Sequence, residues 1–353
     1  MRTKKETYKS KVYTDRSAYA DFDAPSKFNA IKSIIAKRLV EFPNAICSYS
    51  GGSDSDIMLH MIEEVRKCFE LPSVAYCFFN TGLEMEVIKR HVKDMGKLYG
   101  VTIIEHKPKK NIIQSARACG VPFISKIASR RLGLAQKYDV PFSIAHEYEN
   151  SVDKTTKLQE LIERYPNCKT SIIYLCNCDS RGNPINSQLT INSQKYLLDF
   201  MIENPPQFNI SANCCDHCKK HVAKKAEKNF DMVITGERYA EGGQRAASNS
   251  LSCFTQAVDG KYRLRPLYYV SDADKQWYKD YYKIRYSDAY EVYGLKRTGC
   301  CGCPISSKAA DDLEKIRPFE PNLVKAAWHV FGDSYRYRER YNEYKAQKRC
   351  KAE

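Results

Sequence analysis

The 353-residue sequence contains no run of about 18 apolar residues, so no transmembrane helix and no membrane partner are expected. Its first segment, MRTKKETYKSKVYTD, has no apolar stretch of the kind a secretory signal needs, and a cytoplasmic location is expected. There is no internal repeat and no low-complexity stretch. A hydrophobic fraction of 43% with 28% charged residues excludes a fully disordered or collagen-like chain. Acidic residues are in the minority. Asp and Glu number 42 against 57 Lys and Arg, a formal net charge of +15. Such an excess favours a polyanionic partner, whether nucleic acid, nucleotide or acidic surface, without choosing among them. Cysteine is abundant, with 15 residues. In a reducing compartment, and at an odd count, these are not expected to form a disulfide framework. Metal ligands, reactive thiols and buried residues remain.

Residues 1–27 read as a basic N-terminal arm with a short linker. A helical stripe follows at Ile31, Ile34, Ile35, Leu39 and Val40. Short apolar runs at 45–49, 73–79, 101–105 and 231–235 read as strands. Helices are expected over 83–99, stopped by Gly100, over 124–138 and over 195–202. Alternating strands and helices predict an α/β fold, a Rossmann-like parallel sheet with helices on both faces. The pattern weakens over 146–210, most of which has no assignment. Beyond residue 305 a basic, tyrosine-rich helical extension is expected. The implied division is 1–27 arm, 28–306 main domain and 307–353 C-terminal extension.

The sharpest local feature is Ser50-Gly51-Gly52-Ser53-Asp54-Ser55, between an expected strand and an expected helix. Two glycines permit a tight turn and close backbone approach. The helix start offers unpaired N–H groups and a positive dipole end, and three serine hydroxyls add donors. Together these suit a phosphate or pyrophosphate. The string is not the Walker motif, which needs Gly-Lys-Ser/Thr after a longer gap.

The cysteines fall partly into two clusters, Cys214-Cys215-Asp216-His217-Cys218 and Cys300-Cys301-Gly302-Cys303-Pro304. Two Cys-x-x-Cys pairs, Cys215 with Cys218 and Cys300 with Cys303, suggest one four-thiolate site. By spacing alone, zinc and an iron–sulfur cluster both fit. His217 reads as a neighbour of the ligands rather than a general base. Cys176 and Cys178 read as packing or weak metal binding.

The six-residue loop resembles the signature of the PP-loop adenine-nucleotide α-hydrolases. Later segments narrow the resemblance to the phosphoadenosine phosphosulfate reductase family. Asn80-Thr81-Gly82 resembles that family's adenosine-holding Asp-Thr-Gly, with Asn80 in place of the aspartate. Gly236-Glu237-Arg238 with the later Arg245 resembles its Gly-x-Arg motif, in which an arginine grips phosphate or sulfate. Lys126, at the start of an expected helix, is a further phosphate candidate. Cys214-Cys215, followed by Lys219, and Gly299-Cys300…Cys303 are similar to the cysteines of assimilatory adenylylsulfate reductases. That resemblance implies a [4Fe-4S] cluster on Cys214, Cys215, Cys300 and Cys303. Cys218 is an alternative ligand, and zinc the alternative metal.

The resemblance implies one of two chemistries at an adenine nucleotide. In the first, ATP with Mg2+ is cleaved to AMP and pyrophosphate to activate an acceptor for sulfur transfer, as in nucleic-acid thiolation, with a sulfur donor. In the second, a thiolate attacks adenylylsulfate or phosphoadenylylsulfate and releases sulfite, with a thiol reductant protein. The complete loop favours the first, with Asp54 and Arg238 as catalytic candidates. The reductases' C-terminal Glu-Cys-Gly-Leu-His is absent, and Cys350, flanked by cations, is the remaining candidate nucleophile. A retired member that only binds nucleotide or nucleic acid is a third reading. Arg336, Arg338, Arg340, Lys345, Lys348, Arg349 and Lys351 alternate with Tyr335, Tyr337, Tyr341 and Tyr344. These residues suit phosphates and stacked bases, or a solvated amphipathic helix.

Overall fold

The computed structural model describes residues 11–13, 19–185, 187, 189–241, 252–257 and 259–350. The chain divides into two units, each assembled from separate stretches. The first takes the chain up to Asn80, then Glu84–Lys107 and His221–Thr298. The second takes Thr81–Leu83, Pro108–Lys220 and the chain from Gly299 onward.

The first unit is built on one sheet. Its described strands are β1 (Lys11–Tyr13), β2 (Ala45–Ser48), β3 (Ala75–Phe79), β4 (Ile103–His106), β5 (Met232–Thr235), β6 (Phe254–Gln256) and β7 (Tyr262–Leu264). They lie in the order β1-β6-β7-β5-β2-β3-β4. From β7 to β4 all neighbours are parallel, while β6 runs antiparallel to both β7 and β1. Ile46 stands opposite Ala75 and Val233, and Cys47 opposite Tyr76 and Ile234. Side chains alternate across the sheet, so these two rows face opposite ways. Ile46, Cys77 and Val233 pack with Ala226, from the helix His221–Ala226, and with Phe230. On the other face, the Tyr76 hydroxyl donates to Glu63 at 2.8 Å. Glu63 belongs to α2 (Ser53–Cys68), which follows α1 (Ala24–Glu41) in the chain. Both faces therefore carry helices, which is why the strands read as continuous apolar runs rather than alternating ones.

The arm expected over residues 1–27 ends earlier. Tyr19 is fully buried and donates to the Pro266 carbonyl at 3.2 Å. The carboxylate of Asp23 caps α1 by accepting from the Ser26 N–H at 3.2 Å, and Lys27 is buried against Asp274 at 2.7 Å. The capping residue lies upstream of the apolar stripe that begins at Ile31. The helix α3 (Glu86–Tyr99) stops as expected at Gly100, whose φ of 68° is left-handed.

The second unit is helical: α4 (Ile112–Cys119), α5 (Lys126–Lys137), α6 (Ile144–Glu149), α7 (Lys154–Arg164), α8 (Lys169–Leu175), α9 (Leu197–Glu203) and, among others, the helix Pro321–Cys350. Its core gathers Phe123, Leu132, Leu161, Ile172 and Phe200 around Tyr337 and Tyr341 of that last helix. Thus the division falls inside the expected 28–306 domain, and it groups most of the expected 307–353 extension with 108–220.

The tyrosines of the last helix are core residues and not a stacking surface. Tyr335, Tyr337 and Tyr341 are buried, and their hydroxyls donate to the carbonyls of Gly302, Asn204 and Lys195. Tyr337, Tyr341 and Tyr344 stand four and seven residues apart on one stripe and surround the Phe200 ring. Of the interleaved arginines, Arg336 pairs with Asp333, Arg340 donates to Asn204 and Arg338 donates to the Ser306 carbonyl. Among the described residues, no helix is long and apolar enough to cross a membrane.

Candidate functional site

In the first unit, Ser50–Gly52 leave the carboxyl end of β2 and Ser53 opens α2. This is the edge at which open parallel sheets bind ligands. Gly51 has a φ of +69°, and a Cβ there would lie 3.0 Å from Ile88 and 3.1 Å from Val92, so both conformation and space call for glycine. The serines order the turn. Ser50 Oγ lies 3.1 Å from Ser55 Oγ and accepts from the Gly52 N–H at 3.3 Å, and Ser55 Oγ donates to the Gly52 carbonyl at 2.7 Å. The Ser53 N–H, at the helix start, donates to the Tyr290 hydroxyl at 3.2 Å, and Tyr290 in turn lies 3.0 Å from Thr298 Oγ1.

Asp54 is the charged residue of the loop, and two cations hold it: Arg238 Nε at 2.9 Å and Lys275 Nζ at 2.8 Å. Lys275 also donates to Ser53 Oγ at 2.5 Å. Arg238 is 5% exposed and binds Asp272 at 2.8 Å and the Val270 carbonyl at 3.1 Å. Burial alone would lower its proton affinity, but Asp54 and Asp272 raise it above the ordinary arginine value. Gly236 lies directly beyond β5, and a Cβ there would touch the Asp54 backbone at 3.4 Å. Loop and Gly-x-Arg segment are thus brought together. Asn80 directly follows β3 and donates to Glu105 at 2.8 Å. Arg245 lies outside the described residues.

Sequence reasoning missed Lys275, Tyr286, Tyr290, Thr298 and the support beneath the loop. One signal was available for the first. Ser271 and Asp274 form a capping box at the start of the helix Asp272–Tyr282, which fixes Lys275 near its first turn. The support is Asp56, fully buried, whose Oδ1 accepts from the Tyr49 hydroxyl and lies 3.0 Å from His91 Nε2. It ties the end of β2, the first turn of α2 and α3 to one carboxylate.

In the second unit, Cys214 and Cys215 sit on a short helical turn, Asn213–Cys215, that runs into a π-helical turn, Asp216–Lys220. Asp216 anchors this segment through Arg130 at 2.9 Å and Lys220 at 2.8 Å, and His217 Nδ1 lies 2.9 Å from Ser115 Oγ. The thiols of Cys214, Cys215, Cys300 and Cys303 influence one another. Cys214 is pushed well up by its hydrogen bond with Cys215, by burial, and by Cys303 and Cys300. Cys215 is held down by that same hydrogen bond and by the charges of Lys126 and Lys219. Burial and Cys300 push Cys303 up to about 12. Lys126, expected at a phosphate, is thus placed with the thiols.

Thr81 Oγ1 lies 3.5 Å from Cys300 Sγ, and the Cys301 N–H donates to the Leu83 carbonyl at 2.8 Å. Gly82 shares this short segment. Cys218 is buried and donates to the Lys110 carbonyl at 3.3 Å, with burial, Cys300 and Cys215 raising it to about 12. Cys176 and Cys178 belong to the helical core. Cys350 is exposed at the end of the last helix, about 22 Å along its axis from Tyr335, whose hydroxyl meets Gly302. Among the described residues, no three Cys, His, Asp or Glu side chains are gathered closely enough to hold one metal ion.

Residues 44–306 match the family described as the phosphoadenosine phosphosulfate reductase domain. The tRNA-cytidine(32) 2-sulfurtransferase of Citrifermentans bemidjiense is 23% identical over 206 residues, covering 54% of this chain and 77% of that protein. Among solved structures, a phosphoadenylyl-sulfate reductase from Candida auris has a TM-score of 0.40 at 15% identity, covering 78% of this chain and 93% of that one. A U34-tRNA thiolase from Methanococcus maripaludis, solved with its [4Fe-4S] cluster, has a TM-score of 0.35 at 15% identity, covering 89% and 80%.

Proposed function

Because the chain belongs to the phosphoadenosine phosphosulfate reductase domain family, we propose that it cleaves ATP to activate a nucleic-acid base for sulfur transfer. The observation that carries this reading is the complete Ser50–Ser55 loop at the carboxyl end of β2, with Arg238 on its aspartate. A loop of this shape suits a leaving pyrophosphate, for which adenylylsulfate chemistry has no need. The sulfurtransferase relative acts, by its name, on a tRNA cytidine, which makes RNA the first acceptor to test.

In the first step, an acceptor oxygen attacks the α-phosphorus, a P–O bond forms, the α–β P–O bond breaks, and pyrophosphate leaves toward the loop. In the second, a sulfide-level donor attacks the carbon bearing the adenylated oxygen. The C–S bond forms, the C–O bond breaks, and AMP leaves with that oxygen while the donor's proton goes to water. No net oxidation occurs. Asp54 keeps Arg238 at the loop, and Mg2+ accompanies the triphosphate.

Cys214, Cys215, Cys300 and Cys303 fit a [4Fe-4S] cluster, since they are mutually interacting soft donors within one unit. A zinc ion would need its sulfurs around a single centre. In a polynuclear cluster each thiolate would meet its own iron, and the resemblance to the adenylylsulfate reductase cysteines favours that choice over zinc. Such a cluster supplies thiophilic iron when bound.

The test is incubation of anaerobically purified protein with ATP, a sulfide donor and tRNA, followed by nucleoside analysis. AMP, pyrophosphate and a thionucleoside in equal amounts are expected. Sulfite from adenylylsulfate with a thiol reductant, and no AMP from ATP, would replace this reading with the reductase. Nucleotide binding without turnover of either would replace it with a binding subunit.

A further inference from the structure

The Ser50–Ser55 loop carries no cation, and its charged side chain is Asp54. A triphosphate placed there needs positive charge from elsewhere. Arg238 is committed on three sides, to Asp54, Asp272 and the Val270 carbonyl. The Ser53 N–H, which a helix start would offer to an anion, already donates to Tyr290. Among the described residues, Lys275 brings a cation on a flexible stem to this point, with Nζ 2.5 Å from Ser53 Oγ and 2.8 Å from Asp54. Its place in its own helix is unfavourable. It stands at the fourth position of Asp272–Tyr282, near the positive end of the helix dipole, where acidic residues are preferred and where Asp272 and Asp274 also lie. The helix gains little from a lysine there, while the loop gains a cation.

A second, independent observation marks the same spot. Tyr286 is 7% exposed, and its buried hydroxyl has no hydrogen-bond partner among the described residues. Buried hydroxyls are seldom left unpaired. The ring lies 5.6 Å from Lys275 Nζ. Burial, with Asp54 and Asp56 nearby, raises the phenol's proton affinity, so the group stays a donor. A protonated donor awaiting an acceptor, beside a lysine and a serine-lined helix start, is the composition of an anion site.

We infer that Lys275 and Tyr286 bind the terminal phosphates of a nucleoside triphosphate at the Ser50–Ser55 loop and so set a preference for triphosphate over monophosphate. This rests on the nucleotide reading of the loop given above. Adenosine monophosphate has nothing to offer these two groups, whereas ATP and free pyrophosphate do. On binding, Lys275 exchanges part of its contact with Asp54 for a phosphate oxygen, and Tyr286 donates to another.

The experiment is equilibrium binding of MgATP, AMP and inorganic pyrophosphate to the full chain and to Lys275→Gln, Lys275→Arg and Tyr286→Phe. Circular dichroism and thermal midpoints report folding. Lys275→Gln should weaken ATP and pyrophosphate by about tenfold or more and AMP by less than about twofold. Lys275→Arg should retain most of the ATP affinity, and Tyr286→Phe, which keeps the ring, should weaken pyrophosphate by several-fold. Folded Lys275→Gln and Tyr286→Phe proteins with the wild-type ratio of ATP to AMP affinity would overturn the inference and leave the nucleotide reading standing. If the wild-type chain binds none of the three, the nucleotide reading itself falls.

Discussion

Asp56 sits one residue beyond the loop, without solvent exposure, and takes a hydrogen bond from Tyr49 while facing His91. Removing its carboxylate strands a buried phenol and a half-buried imidazole, and the cost of such orphaned groups is what decides the outcome. Asp56→Ala is expected to lower unfolding free energy by about 2–4 kcal/mol, read from the urea midpoint. An unchanged midpoint would remove Asp56 as the anchor of the loop. Single residues also show what was readable in advance. Ser50–Ser55 and Gly236–Arg238 were legible because each is a contiguous string next to an apolar strand. Lys275, Tyr286 and His91 were not, because they reach the loop through folding and not through spacing. His91 lies 35 residues from Asp56, and Lys275 lies 222 from Ser53.

Among the elements, the turn Cys300–Cys303 depends on Gly302. Its φ is +65°, and a Cβ there would collide with the Tyr335 hydroxyl, which itself donates to the Gly302 carbonyl. Gly302→Ala therefore meets both backbone strain and a clash, and should cost more than about 1 kcal/mol. Wild-type protein prepared without oxygen should be brown, with about four irons per chain. Gly302→Ala and Cys303→Ser should both reduce iron content. One zinc per chain and no visible absorption in the wild type would sink the cluster. Strand β2 and helix α2 were legible because an apolar run meets a glycine turn and then a helical stripe. Of the helices between 144 and 203, α9 matches the one expected over 195–202, and the others were not legible. They are six to eleven residues long, and left-handed residues such as Asn177 and Tyr196 break the chain where no glycine announces a turn. The tyrosines of the last helix were misjudged for a related reason. Pairing each with its neighbouring arginine hid the stripe formed by Tyr337, Tyr341 and Tyr344.

At the level of the whole molecule, the net charge of +15 remains the broadest statement about a partner. If that partner is RNA, binding should weaken at least about tenfold between about 50 and about 200 mM salt, measured by filter retention or anisotropy. A salt-independent affinity would point away from a phosphate backbone. The interleaving of the two units carries a different consequence, for synthesis. Ala45 pairs with Met232, so β2 leaves the ribosome long before β5, its neighbour in the sheet. At about 5–20 residues per second, that edge waits about 10–40 s for its partner. The helical unit waits longer still, since Tyr337 and Tyr341 are made long after Phe123 and Leu132, which share their core. The first unit has all its segments only once Thr298 is made, and a stop before β5 would leave an open sheet edge exposed to other chains.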